Sequence, residues 1–151
     1  MNGTAVSTPV QAADFVNQAA ASDQFEIQSS RLAEAKASGA AVKRYAAQMI
    51  AEHTKSTADL TAAAAQGDPA VVPAPQITPE QQANLDALKA APAGAAFDKQ
   101  YAQFQVLSHT NALANLEGYA VRGDRPMLKA FASKAVGMVK GHLQKAQALA
   151  K

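Results

Sequence analysis

Cysteine and tryptophan are absent from the 151-residue chain, aromatic residues number eight, and charged residues make up only 17%. Without cysteine there can be no disulfide framework, no cysteine-ligated zinc, no iron–sulfur cluster and no thiol nucleophile. The 14 basic and 12 acidic residues give a net charge of +2, so the pI near 8.9 reflects near-balance rather than a basic patch. No run of Lys and Arg is interleaved with aromatics, which argues against nucleic-acid binding. No apolar stretch reaches the ~20 residues needed to span a bilayer. The first residues, Met1 to Pro9, lack both a basic and an apolar region, so the expectation is a polar stub rather than a signal peptide. What the chain does have is alanine, at 38 positions. Alanine loses no side-chain entropy in a helix and is too small to fill a sheet core, so the expected fold class is all-α.

Proline and glycine are clustered, and their positions divide the chain. Four long helices are expected, at about 9–37, 40–66, 95–122 and 124–150, within one domain covering 1–151. Gly39 and Gly123 are expected to end the first and third, and Asp124, with Pro126 behind it, to cap the fourth. The segment 67–94 holds five prolines and two glycines and reads as a crossover. Within it, Thr78 before Pro79 marks the start of a short helix running to about Lys89. Two tight hairpins joined by a long connection describe a four-helix bundle of the ferritin-like kind, with the third helix parallel to the second.

At 100° per residue the second helix places Val42, Ala46, Met49, His53, Thr57 and Leu60 on one stripe. The fourth places Met127, Leu128, Phe131, Ala135, Met138, Val139, His142, Ala146 and Leu149 together. On the first, Glu26 shares an arc with Phe15, Ala19, Ser22, Ser29 and Ala33. His109 flanks the apolar arc of the third, in a column with Asp98, Gln105 and Leu116. Glu26 lies 13 residues before Gly39 and His53 14 after it, so they share a height. His109 lies 14 before Gly123 and His142 19 after it, a mismatch of about one turn.

Three histidines and a carboxylate converging inside a bundle suit a transition metal such as Zn, Cu or Fe. The expected ligands are Glu26, His53, His109 and His142, with Asp98 as a partner or spare ligand. Soluble di-iron bundles use Glu-x-x-His on two helices, whereas here Ile50, Val106 and Val139 stand three residues before the histidines. That disfavours a ferroxidase or oxygen-activating enzyme, and no Ser/His/Asp order suggests a hydrolase. Glu52, beside His53, is expected to face solvent, and the methionines to fill the core.

Phe25-Glu26-Ile27, Leu32-Ala33, Lys36-Ala37-Ser38, Val42-Lys43, Tyr45-Ala46 and Met49-Ile50-Ala51-Glu52-His53 together resemble the bacterial family known as domain of unknown function 4142. Phe97-Asp98 with Tyr101, His109, Phe131-Ala132 and His142-Leu143 match its later pattern, so the resemblance spans about Asp14 to Leu149. The one departure is Glu52, where the family has Asp. The resemblance implies a ferritin-like bundle, a soluble periplasmic or otherwise exported location, and no established reaction. Its recurring polar positions fall at Glu26, His53, Asp98, His109 and His142. The leading expectation is a non-enzymatic metal-binding bundle of the cell envelope. The alternatives are a metal-free structural or stress-related envelope protein acting through surface contacts, and a metal-dependent oxidoreductase or hydrolase.

Overall fold

The computed structural model describes residues 10–151. It contains α1 (Ala12–Lys36), α2 (Ala40–Ala65), α3 (Pro79–Ala90), α4 (Ala95–Arg122) and α5 (Pro126–Leu149). Among the described residues the only extended pairing is an isolated bridge between Val10 and Gly123. The expected start of the first helix, Pro9, and the stub before it lie outside the described residues.

The breakers act largely as chemistry dictates, with two exceptions. Thr78 opens α3 through a reciprocal capping box, accepting from Gln81 N at 3.1 Å while the Gln81 side chain accepts from Thr78 N at 2.9 Å. Asp124 does not cap α5. Pro126 at the first helical position shifts the N-cap to Arg125, and the Asp124 carboxylate instead accepts from Ala12 N, 3.3 Å away in the first turn of α1, and from Tyr119 Oη at 2.7 Å. Gly39 does not stop α1, whose C-cap is Ala37, but stands as N-cap of α2 without a left-handed turn. Its φ is −75°, but a Cβ there would lie 3.0 Å from Asp98 Oδ2.

The four long helices form a ring in the order α1, α2, α5, α4, and α3 packs on α1 and α4. The head of α4 is tied to the α1–α2 turn, where Asp98 accepts from Ser38 N at 3.0 Å and Gly39 N at 2.8 Å. At the opposite end Val10 N donates to Arg122 O at 3.1 Å. Neighbouring helices are therefore antiparallel, and α4 runs parallel to α2 across the diagonal. The crossover returns along α1, with Ala74 N donating to Asn17 Oδ1 at 2.8 Å. It ends under Lys36, whose ammonium caps α3 through Leu88 O and Lys89 O at 2.8 and 2.7 Å.

Apolar packing gathers at two levels. Near the α4–α5 turn, Phe15, Val16, Leu60, Leu116, Tyr119 and Leu128 form one cluster, in which Phe15 stacks on Tyr119 at 4.0 Å between centroids. Near the α1–α2 turn, Tyr45, Met49, Leu88, Phe97 and Tyr101 form another. Between them lies a buried polar layer that includes Asp23, Glu26, Ser29, His53, Gln105, His109 and His142. Met127, expected on the inward stripe of α5, is 48% exposed, because it stands beside the α4–α5 turn where the stripe leaves the core. No helix among the described residues is long and apolar enough to cross a membrane.

Candidate metal centre

Each long helix contributes to the polar layer from its inward face. In α1, Asp23 and Glu26 stand three residues apart and so share that face. In α4, Gln105 and His109 do the same at a spacing of four. The three imidazoles, one each from α2, α4 and α5, form a near-equilateral triangle. Ring centroids are 5.6 Å apart for His53 and His109, 5.3 Å for His53 and His142, and 5.3 Å for His109 and His142. One nitrogen from each ring lies within 4.8 Å of the other two, and all three residues are at most 2% exposed.

The outward nitrogen of every ring meets an oxygen. His53 Nδ1 lies 2.7 Å from Asp23 Oδ1, and Thr57 Oγ1 donates to the other oxygen of that carboxylate at 3.1 Å. His109 Nδ1 lies 2.8 Å from the Gln105 carbonyl. His142 Nε2 bonds to Glu52 Oε2, and Glu52 is steadied by Gln48 Nε2 at 3.0 Å. An ionised carboxylate and a carbonyl can only accept, so each bonded nitrogen carries the hydrogen. In the neutral rings the remaining nitrogens, His53 Nε2, His109 Nε2 and His142 Nδ1, are then lone pairs. These three, together with Glu26 Oε2, are buried atoms without a hydrogen-bond partner. A carboxylate or carbonyl behind a histidine is the arrangement that fixes the tautomer and orientation of a metal-binding imidazole.

The electrostatics differ from ring to ring. Burial pushes the His142 imidazolium down to about 4, helped by the neighbouring His53 and His109 and opposed by Glu52. At His53 burial also acts against the charge, but the Asp23 bond and the field of Glu26, Asp23 and Glu52 outweigh it and hold the ring above the usual imidazole range. Glu52 is held below its usual range, because its bonds to His142 and Gln48 outweigh the effect of its own burial. Burial and the charge of Glu26 raise Tyr45 well above the ordinary phenol range, so it stays a neutral hydroxyl, donating to Gln105 Oε1 at 3.4 Å.

Glu26 sits at the edge of the triangle. Its Oε1 accepts from Ser108 and lies 3.7 Å from His109 Nδ1. The structure thus brings Glu26, His53, His109 and His142 into one layer. It does not bring Asp98 there, because Asp98 lies eleven residues before His109, about 16 Å along the helix, and is occupied by the α1–α2 turn. Glu52 keeps a 40% exposed side chain, as expected of a solvent-facing residue, but its carboxylate also reaches His142, because α2 packs against both α1 and α5. Asp23 and Gln105 were missed as partners. Asp23 carried a usable signal, its i, i+3 spacing to Glu26; the carbonyl of Gln105 carried none.

The model of the family described as "Domain of unknown function (DUF4142)" matches residues 2–149, and the chain belongs to that family. Comparison with curated proteins finds no match. Among solved structures the chain is similar to CopM in the Cu(II)-bound form, with a TM-score of 0.79 and 16% identity over 95% of this chain and 97% of the other. It is also similar to CopM in the Ag-bound form (TM-score 0.74, 17% identity, 91% and 93% covered). A DUF305 fragment from Deinococcus radiodurans gives a TM-score of 0.80 at 15% identity, with 95% and 97% covered. At these identities the likeness establishes the helical-bundle fold.

Proposed function

We propose that this protein binds a transition-metal ion, Cu(II) or Zn(II), between His53, His109 and His142, as a non-enzymatic metal-handling bundle of the cell envelope. The observation that carries the reading is the convergence of three imidazole nitrogens whose opposite edges are tied to acceptors. Neutral imidazole is a preferred donor for both ions, at ~2.0–2.1 Å for zinc, and neither ion needs cysteine. Glu26 supplies negative charge at the edge of the site, its Oε1 3.7 Å from the bonded Nδ1 of His109, and does not join the three inward nitrogens. Asp23, the Gln105 carbonyl and Glu52 orient the rings from behind. Asp98 takes no part.

A metal-free structural role fits the same residues less well, because it offers the three inward nitrogens no protein partner. Metal-bound forms of the similar CopM support a metal in general. The family resemblance supports an exported protein.

Calorimetric titration of tag-free protein with Cu(II) and with Zn(II) tests the reading. One ion per chain should bind the parent, and His53→Ala and His142→Ala should each abolish or severely weaken that event. Unchanged binding in both variants would remove the shared site.

A further inference from the structure

A buried metal centre needs a path for its ion, and the inference drawn here rests on the metal reading above. The two open seams of the bundle are unequal. Along α1 and α4 the crossover and α3 lie across the surface, leaving a cleft of about 620 Å³ that none of the three histidines lines. Along α2 and α5 runs a groove of about 870 Å³, lined by His142 and Glu52 but by neither His53 nor His109. The carboxylates behind the rings divide in the same way. The Asp23 side chain is 7% exposed and Glu26 1%, whereas Glu52 is 40% exposed. Only the His142 ring is therefore held by a group that solvent can reach.

The groove wall carries a second, independent feature. Gly137 and Gly141 stand within α5, where glycine weakens a helix, and a Cβ at either would meet nothing within 4 Å. Close packing does not require them, and both line the groove beside His142. Of the lysines on the wall, Lys55 is paired with Asp59 at 2.7 Å and Lys145 is tied to Gln48 Oε1 at 2.8 Å, with its charge still felt at Glu52. Lys134 is the further cation lining the groove.

We infer that the α2/α5 groove is the ion's route to and from the three histidines and that Glu52 is its gate, the carboxylate that meets the cation first and in doing so releases His142. While Glu52 accepts from Nε2 the ring is fixed with Nδ1 inward. A cation on Glu52 withdraws that acceptor, and the freed ring can turn about its χ2 bond, a soft torsion, into the space left by the glycines. Nδ1 then faces the groove to collect the ion and carries it inward as the ring turns back. Glu52 is a positioning residue in this scheme and makes no lasting bond to the bound ion.

The test is stopped-flow mixing of the metal-free full chain with Cu(II), followed by tyrosine fluorescence, with calorimetry for the equilibrium constant. Tyr45, whose ring lies 6.5 Å from that of His109, is the local reporter. Gly137→Leu and Gly141→Leu should fill the groove and slow association and release by the same factor, about tenfold, or about 1.4 kcal/mol on the barrier, leaving Kd unchanged. Leucine favours helix over glycine, so neither change threatens folding, and Gly137→Leu, a turn away from His142, decides if Gly141→Leu weakens binding directly. Glu52→Gln, which keeps an acceptor for Nε2–H but loses the charge, should slow association and flatten its dependence on ionic strength. Asn111→Leu, in the cleft on the α1/α4 side, should leave both rates as they are. Unaltered rates in both glycine variants, or slowing confined to Asn111→Leu, would overturn the route while leaving the metal site standing. A parent chain that binds no Cu(II) and no Zn(II) would overturn the site itself.

Discussion

His142 is set deeper from the α4–α5 turn than His109, yet their rings meet at 5.3 Å. Counted within the helices, His109 lies 13 residues before Arg122 and His142 16 after Pro126, a difference of three residues or about 4.5 Å. Helical side chains lean toward their own N-terminus. In this antiparallel pair His142 therefore leans back toward the turn and His109 leans away from it. The lean closes the gap that residue counting leaves open.

Asp23→Asn should weaken metal binding by ~10–100-fold, the usual effect of losing a carboxylate behind a metal-binding histidine, with little change in helix content. Calorimetry beside circular dichroism would read both. An unaltered affinity would show that Asp23 does not orient the His53 ring.

Asp98→Ala separates architecture from site. It strips the acceptor from Ser38 N and Gly39 N at the α1–α2 turn and should cost ~1–3 kcal/mol of stability in chemical denaturation. Metal affinity should match the parent; a lost metal event would restore Asp98 to the site.

Metal should stabilise the fold by mass action, because the three nitrogens are assembled only in the native bundle. At a free ion concentration of about 100 Kd the gain is ~2.7 kcal/mol, seen as a rise in Tm that a chelator reverses. His109→Ala should show no such rise.

Without metal, stability should peak near the ordinary imidazole range and fall on both sides of it. His53 has a raised pKa in the folded state, so its contribution is full below about 6.5 and lost as pH climbs through the raised value. His142 is depressed to about 4, so the unfolded chain takes up its proton first and stability drops as pH falls from about 6.5 toward 4. Glu52, also depressed, extends the loss at acid pH. Thermal melts across pH 4 to 9 on the parent and on His142→Gln would resolve the acid limb, which should be shallower in the variant.

The architecture was legible because the main local signals agreed: alanine for helix, clustered breakers for the turns, Thr78 before Pro79 for α3. Phase along a helix also identified Glu26, His53 and His142 as inward-facing residues. It could not place Asp98, since a shared column on α4 says nothing about which end of the bundle a residue occupies. It put Glu52 toward solvent, where 40% of its side chain lies, but did not reveal the bond to His142, because a stripe about a third of a helix wide assumes one buried side, and α2 has two packed neighbours. Asp124 went astray for a related reason: its carboxylate serves the start of another helix, a contact 112 residues away.

The polar layer makes this bundle two short hydrophobic blocks stacked end to end, with a seam of hydrogen bonds where a continuous apolar core would otherwise run. Such a seam transmits little packing energy, so each block can loosen with some independence, and amide exchange would divide the long helices at their midpoints. An ion held by α2, α4 and α5 at that level would act as a rivet through the seam, joining the two blocks into one cooperative unit. Loading would then register far from the histidines, as slower exchange at both ends of the molecule.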